Sequence, residues 1–230
     1  MGFEEFRVRV HPLWSALGLF DALIGFWLLA KLYYAVGGLL GLTGPWTALI
    51  YTGAQATGFA VLLYVLRREG NTLSSVWLGG RGPRELAYAL AFLAAAWVLW
   101  GLLSALGAAL GLPEYRWWSR WGVRGPLDVL PVGAMAVAAA FFEETFYRGY
   151  AITRLYTFTG SMALAAAVSI AFFTLIHLFF GPRVMLCILG WAVLDTLLFI
   201  YRRSTWASFY YHVVNNAIVY IVFPLAGLWR

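Results

Sequence analysis

AFLAAAWVLWGLLSALGAALGLP, residues Ala91 to Pro113, carries no charged side chain over 23 positions. A helix needs about 20 mainly apolar residues to cross the hydrocarbon of a bilayer, and this run meets that length. Outward from it the pattern repeats. Val129 to Phe142 is also free of charge. The chain as a whole is 63% hydrophobic and 11% charged, against roughly 25% charged in an ordinary soluble domain. A membrane β-barrel would alternate apolar and polar residues in pieces of about ten. Runs such as Ala134 to Ala140 and Ala163 to Val168 do not alternate. Only helices and closed barrels satisfy every backbone group inside lipid. The sequence therefore reads as an all-α integral membrane protein, a polytopic bundle of about seven transmembrane helices forming a single domain over residues 1–230.

The expected spans are Ser15–Leu39, Trp46–Leu66, Glu85–Leu112, a fourth from Leu127, Ser161–Phe180, Val184–Tyr201 and Thr205–Leu228. Pro45, the cluster Gly79, Gly80, Gly82 and Pro83, and the pair Gly181 and Pro182 punctuate them. Gly107 and Gly111 have the small-residue spacing that lets helices approach closely. Residues 113–126 mix Tyr115, Trp117, Trp118 and Trp121 with Arg116, Arg120 and Arg124, the composition of an interfacial segment with rings among the headgroups. In the first span, Lys31 can reach an interface by snorkelling, and Asp21 is a candidate buried acid.

The excess of 16 basic over 10 acidic residues is read as topology and lipid contact, not as nucleic-acid binding. With seven spans, nine arginines fall on the N-terminal side and five on the other, which predicts a multi-pass protein of the cell membrane with a cytoplasmic N-terminus. Cys187 is the sole cysteine, so no internal disulfide can form.

Three places put ionisable or amide groups inside apolar helix: Glu143, Glu144 and Arg148; Phe173 to His177; and His212 to Asn216. A charge at the bilayer centre costs roughly 3 kcal/mol on the mildest scale, so such groups are expected to face a cavity or one another. Glu144 and Arg148 are four apart and share a helix face. Glu143 points about 100° away, free to meet something else. His212 and Asn216 also share a face. The set suits hydrolysis: Glu143 as general base on water, His177 holding the same water, and His212 with Asn216 donating to an oxyanion. Ser161 and Ser169 belong to no nucleophile motif, and no His-Glu-x-x-His zinc helix is present. Glu143, His177 and His212 could nonetheless supply three zinc ligands with a fourth position for water. From residue types alone both versions stay open. The metal-free one, with no cofactor, is preferred because a buried acid beside two histidines needs no metal to be useful and the usual zinc signature is lacking. A transporter or scaffold whose buried polar network forms a substrate or proton path is the non-enzymatic alternative, though no inverted repeat is visible.

These three motifs, Glu143-Glu144-Thr-Phe-Tyr-Arg148, Phe173-Thr-Leu-Ile-His177 and His212-Val-Val-Asn-Asn216, resemble the pattern of the CPBP family of intramembrane endopeptidases, the CAAX-protease and bacteriocin-processing group also called Abi. The likeness covers residues 128–224. It implies cleavage of a peptide bond in a membrane-associated or lipidated protein or peptide, within or beside the bilayer. Eukaryotic members trim three residues after a prenylated cysteine, and bacterial members are associated with bacteriocin immunity and with peptide-signal and membrane-protein processing. Carried over by motif position, Glu143 is the base, His177 its partner on the water, and His212 with Asn216 the oxyanion site. Glu144, Arg148 and Phe173 become structural or orienting residues. The likeness leaves open whether zinc takes part.

Depth constrains this reading. His177 lies 16 residues along a fifth helix that starts at Ser161, about 24 Å from its beginning. For Glu143 to reach that level, the fourth helix must run on to about Thr157, with its turn at Thr157 to Gly160. His212 is only seven residues past Thr205, about 11 Å along the seventh helix. That helix is therefore expected to start earlier in the chain or to tilt, or the substrate backbone to span the gap.

Overall fold

Charge-free runs become helices because in lipid no other open structure pairs every N–H with a C=O. The computed structural model describes residues 3–41, 46–78, 83–114, 123 and 125–228, and among these every regular element is helical. Seven stretches carry the fold: α1 (Pro12–Leu39), α2 (Thr47–Glu69), α3 (Arg84–Ala109), α4 (Pro126–Thr159), α5 (Met162–Leu175), α6 (Pro182–Arg202) and α7 (Thr205–Ala217), the last running on through Ile218–Val222 and Phe223–Leu225. Pro45, Gly79, Gly80, Gly82, Arg81, Arg230 and the aromatic and basic residues from Tyr115 to Trp121 together with Arg124 lie outside the described residues.

Of the described helices, α1, α2, α3, α4 and α6 are long and apolar enough to cross a membrane. The bundle is thus all-α and polytopic with five such helices, completed by two of a different kind. α5 has 14 residues, about 21 Å of helix against a hydrocarbon layer of about 30 Å. α7 carries His212, Asn215 and Asn216 in its middle. Leucines at 102, 106, 110, 130 and 197 stand exposed on the outside of the bundle, the surface a lipid solvent requires.

The ends follow local chemistry. Pro12 opens α1 at a position whose N–H has no partner anyway. Arg67 and Arg68 occupy the last turn of α2, which stops at Gly70 with φ 72°. Ser161 caps α5 by accepting from the Leu164 N–H at 3.2 Å. α4 runs to Thr159 and turns at Gly160, φ 68°, as the depth argument requires. The Gly107–Gly111 pair does not act as a contact motif. A Cβ on Gly107 would meet Arg183, whereas Gly111 has left-handed backbone just past the end of α3 and nothing near it. α5 ends at Leu175, so His177 lies beyond the helix rather than within a span reaching Phe180.

α4 is the central helix, packed against α2 on one side and α7 on the other, while α3 packs on α6 and α7. Its stretch Thr145–Ile152 is wound as π-helix, and all eight residues of that stretch are buried. Neighbouring helices enclose this stretch on every side. A second π-turn, Asp21–Gly25 in α1, packs directly on it, and Asp21 is buried there. At one end of the bundle, ion pairs tie the helices: Arg154 to Glu69 at 2.7 Å and Arg202 to Glu85 at 2.9 Å.

The level of α7 is set by the loop that precedes α3. Thr205 donates its hydroxyl to the Val76 carbonyl at 2.5 Å and its N–H to the Trp77 carbonyl at 3.1 Å. Val76 O in turn lies 2.7 Å from where a Cβ on Gly149 would sit. The loop therefore dips into the bundle, and α7 starts level with Gly149 rather than with Thr159. Seven residues along α7 and five back along α4 then meet, which is how His212 reaches Glu144. Replacing Gly149 with Ala pushes a methyl against a backbone carbonyl and is expected to cost about 1–3 kcal/mol. Thermal unfolding in detergent measures this, with Gly101→Ala as the control, since Gly101 has nothing within 4 Å.

Candidate functional site

Burial in apolar helix leaves an ionisable group only its own neighbours, and here those neighbours form a chain. His212 Nδ1 lies 2.7 Å from Glu144 Oε1. Glu144 Oε2 lies 3.2 Å from Arg148 NH1, and Arg148 NH2 lies 3.1 Å from Asp195 Oδ2 on α6. Glu144, Arg148 and Asp195 are all fully buried. The Glu144–Arg148 pairing follows from the four-residue spacing. Asp195 was not singled out from the sequence, although it is the one acid in the apolar run of α6, and that isolation is the signal that could have found it.

Aromatic rings close the cation in. The Arg148 guanidinium sits 4.3 Å from the Phe173 ring centroid. Phe173 stacks on Trp191 at 5.7 Å and 15° and meets the Tyr147 ring edge-on at 5.2 Å. Trp191 packs in turn on His212 at 4.9 Å. Phe173 thus joins the arginine to both histidines, since His177 lies 4.9 Å from it on another side.

The histidines are oriented by what their Nδ1 atoms meet. His177 Nδ1 lies 2.7 Å from the Phe173 carbonyl oxygen. A carbonyl only accepts, so Nδ1 carries the hydrogen, and the neutral ring keeps a lone pair on Nε2. The bond also ties the residue just past α5 back onto the helix's last turn. His212 has its Nδ1 on the Glu144 carboxylate, which fixes its tautomer in the same way. A neutral His212 therefore accepts at Nε2. It donates there only as an imidazolium, a condition that the residue types alone did not reveal for an oxyanion donor.

Glu143 faces away from this chain, toward α2. Its Oε1 accepts from the Tyr51 hydroxyl at 2.7 Å and from Gln55 Nε2 at 3.0 Å. Both donors come from the N-terminal half, which has no recognisable motif, and sequence reading missed them. Tyr51 and Gln55 stand four apart on one face of α2. Asn216 Nδ2 donates to the Ala136 carbonyl at 3.4 Å, which leaves its second hydrogen available.

Glu143, His177, His212 and Asn216 line one cavity of about 700 Å³. Its walls are largely apolar, with Trp27, Trp97, Trp100, Phe179 and Ile188 among them, and it extends to Lys31, Glu114 and Arg183. Such a space accepts an apolar ligand and presents polar atoms at one place. Among the described residues, no three His, Cys, Asp or Glu side chains are grouped as ligands for a metal ion.

Residues 125–218 match the family model described as type II CAAX prenyl endopeptidase Rce1-like. A CAAX-protease-like domain of the Abi and CPBP superfamily is therefore identified over this part of the chain, which holds all three motifs. No curated protein and no solved structure matches the chain.

Breaking a buried ion pair by removing one partner costs about 3–5 kcal/mol because the other charge stays buried and uncompensated. Asp195→Ala is expected to lose that much stability, read as a lower midpoint of thermal unfolding, and Asp195→Asn, which keeps a hydrogen-bonding oxygen, to lose less. An unchanged midpoint for Asp195→Ala would mean that Arg148 is neutralised from elsewhere.

Proposed function

We propose, from the Rce1-like domain at residues 125–218, that this chain is an intramembrane endopeptidase that hydrolyses a peptide bond in a membrane-associated or lipidated peptide. The observation that supports this most is the meeting of Glu143, His177, His212 and Asn216 from three helical segments at one apolar cavity.

In this reading Glu143 takes a proton from a water molecule as the water oxygen attacks the scissile carbonyl carbon. His177 accepts a hydrogen bond from the water's second O–H at Nε2, where its bond to the Phe173 carbonyl leaves a lone pair. The carbonyl oxygen gains negative charge and takes a hydrogen bond from Asn216 Nδ2. His212 joins when its ring carries two protons, the state in which the Glu144 carboxylate balances its charge. The C–N bond then breaks, the amine leaves with the proton held by Glu143, and a carboxylic acid remains. The carboxylate alone activates the water, without a metal ion. Glu144, Arg148 and Asp195 touch no substrate and hold the histidine and the helices in place.

The cavity walls suit a substrate with an apolar appendage or segment. The family description points to a prenylated cysteine near a C-terminus, so the reporter of choice is a fluorogenic peptide with a prenylated cysteine four residues from its end. All seven helices are taken as membrane-embedded, with the short α5 bringing His177 to the middle of the layer rather than to its far side.

Glu143→Gln keeps the shape and removes the base. Cleavage of the reporter in detergent is expected to fall by about 10³-fold or more with thermal unfolding unchanged, and chelator treatment of the wild-type protein to leave the rate intact. Wild-type cleavage by Glu143→Gln would show that Glu143 is not the base, whereas no cleavage by the wild-type protein would favour the transporter or scaffold reading. Loss of activity on chelation, restored by zinc, would put a metal in the mechanism.

A further inference from the structure

Gln55 presents a problem of stability. It is fully buried in α2. Its Nε2 donates to Glu143, but its Oε1 has no hydrogen-bond partner among the described residues. A buried polar atom left unpaired costs free energy that an isosteric apolar side chain would avoid. Tyr51 raises the same question in a milder form. Its ring stacks on Tyr34 of α1 at 6.5 Å and 27°, which Phe would do as well, yet it carries a hydroxyl aimed at the carboxylate.

Both groups converge on one atom. Two donors from successive turns of α2 reach the same oxygen, Glu143 Oε1. A carboxylate rotates about its terminal torsion with little resistance, since that torsion has broad minima. Two hydrogen bonds to one oxygen remove this freedom, commit Oε1 to the protein, and leave Oε2 as the oxygen free for a proton. Tyr51 also lines the cavity beside Glu143.

We propose that Tyr51 and Gln55 are positioning residues that hold the Glu143 carboxylate so that Oε2 faces the water. This rests on the reading of Glu143 as the base and extends it. It assigns to the N-terminal half, outside the matched residues 125–218, a part in the chemistry. Neither residue touches the reacting atoms. Their effect is on the orientation of the base, so removing a donor lowers the rate of the chemical step and leaves substrate affinity alone.

Three substitutions, one pair of them combined, test this with the reporter peptide and the full chain in detergent. Tyr51→Phe keeps the ring and its stacking. Gln55→Leu keeps the volume and removes the unpaired oxygen. Each is expected to lower kcat by about 10- to 100-fold, the worth of a hydrogen bond to a charged group, with KM within about twofold of wild type. Gln55→Leu is expected to unfold at the same temperature as wild type or higher, an outcome that a merely structural role would not give. In the Glu143→Asp background the shortened carboxylate no longer reaches the Tyr51 hydroxyl. There, adding Tyr51→Phe is expected to change the residual rate less than about twofold, a non-additivity that marks residues acting through one another. Wild-type kcat in Tyr51→Phe or Gln55→Leu overturns the proposal, as does an equal loss from Tyr51→Phe in both backgrounds. Failure of the base itself is a separate result, since it shows as wild-type cleavage by Glu143→Gln.

Discussion

The structure depends on a cation buried in an apolar bundle. Arg148 has no access to solvent, and its charge is met by Glu144 on its own helix, by Asp195 from α6 and by the face of Phe173. A guanidinium in such a place must be matched or the fold does not close. Matching it draws α4, α5 and α6 to one point. The carboxylate that serves it also holds His212 of α7 at Oε1, the oxygen to which Arg148 NH1 donates at 3.3 Å. Four helices are registered against each other by one chain of contacts.

The backbone meets the demands of that chain. The π-wound stretch of α4 buries its side chains all around the helix, so Arg148 can be enclosed while Glu143 and Glu144, just before it, diverge to α2 and α7. Gly149 admits the Val76 carbonyl, and Thr205 hangs from the same carbonyl. α7 is thereby lifted into the middle of the bundle. π-turns and a glycine at a close backbone approach are local costs that recur where function needs a particular geometry.

Much of this was legible in the sequence, because lipid punishes polar groups severely. The charge-free runs gave the helical membrane bundle, and the few ionisable residues inside them gave a short roster of site candidates. The depth argument from His177 required a fourth helix continuing past Glu143 to the turn at Gly160. What was not legible is long-range. Tyr51 and Gln55 look like ordinary polar residues of a span until α2 is laid against α4. The dip of the loop at Val76 has no composition signature, so His212 seemed too shallow. Helix ends were also misjudged, since Leu175 to Phe180 is apolar apart from His177 and holds no proline or glycine to mark the break after α5. The count of spans was limited in the same way. The sequence pointed to about seven spans; five of the described helices are long and apolar enough to cross, while α5 and α7 are short or polar in the places that bear the motifs.

The central claim is that α4, α5 and α7 bring a general base and hydrogen-bond donors to one cavity that receives a peptide. An experimental structure of Glu143→Gln with the prenylated reporter peptide bound tests it most directly. The account predicts the scissile carbonyl oxygen within hydrogen-bonding distance of Asn216 Nδ2, the carbonyl carbon facing residue 143, and the apolar appendage between the tryptophans of the cavity wall. A peptide bound elsewhere on the bundle, or seated with its carbonyl turned away from Asn216 and His212, would contradict it.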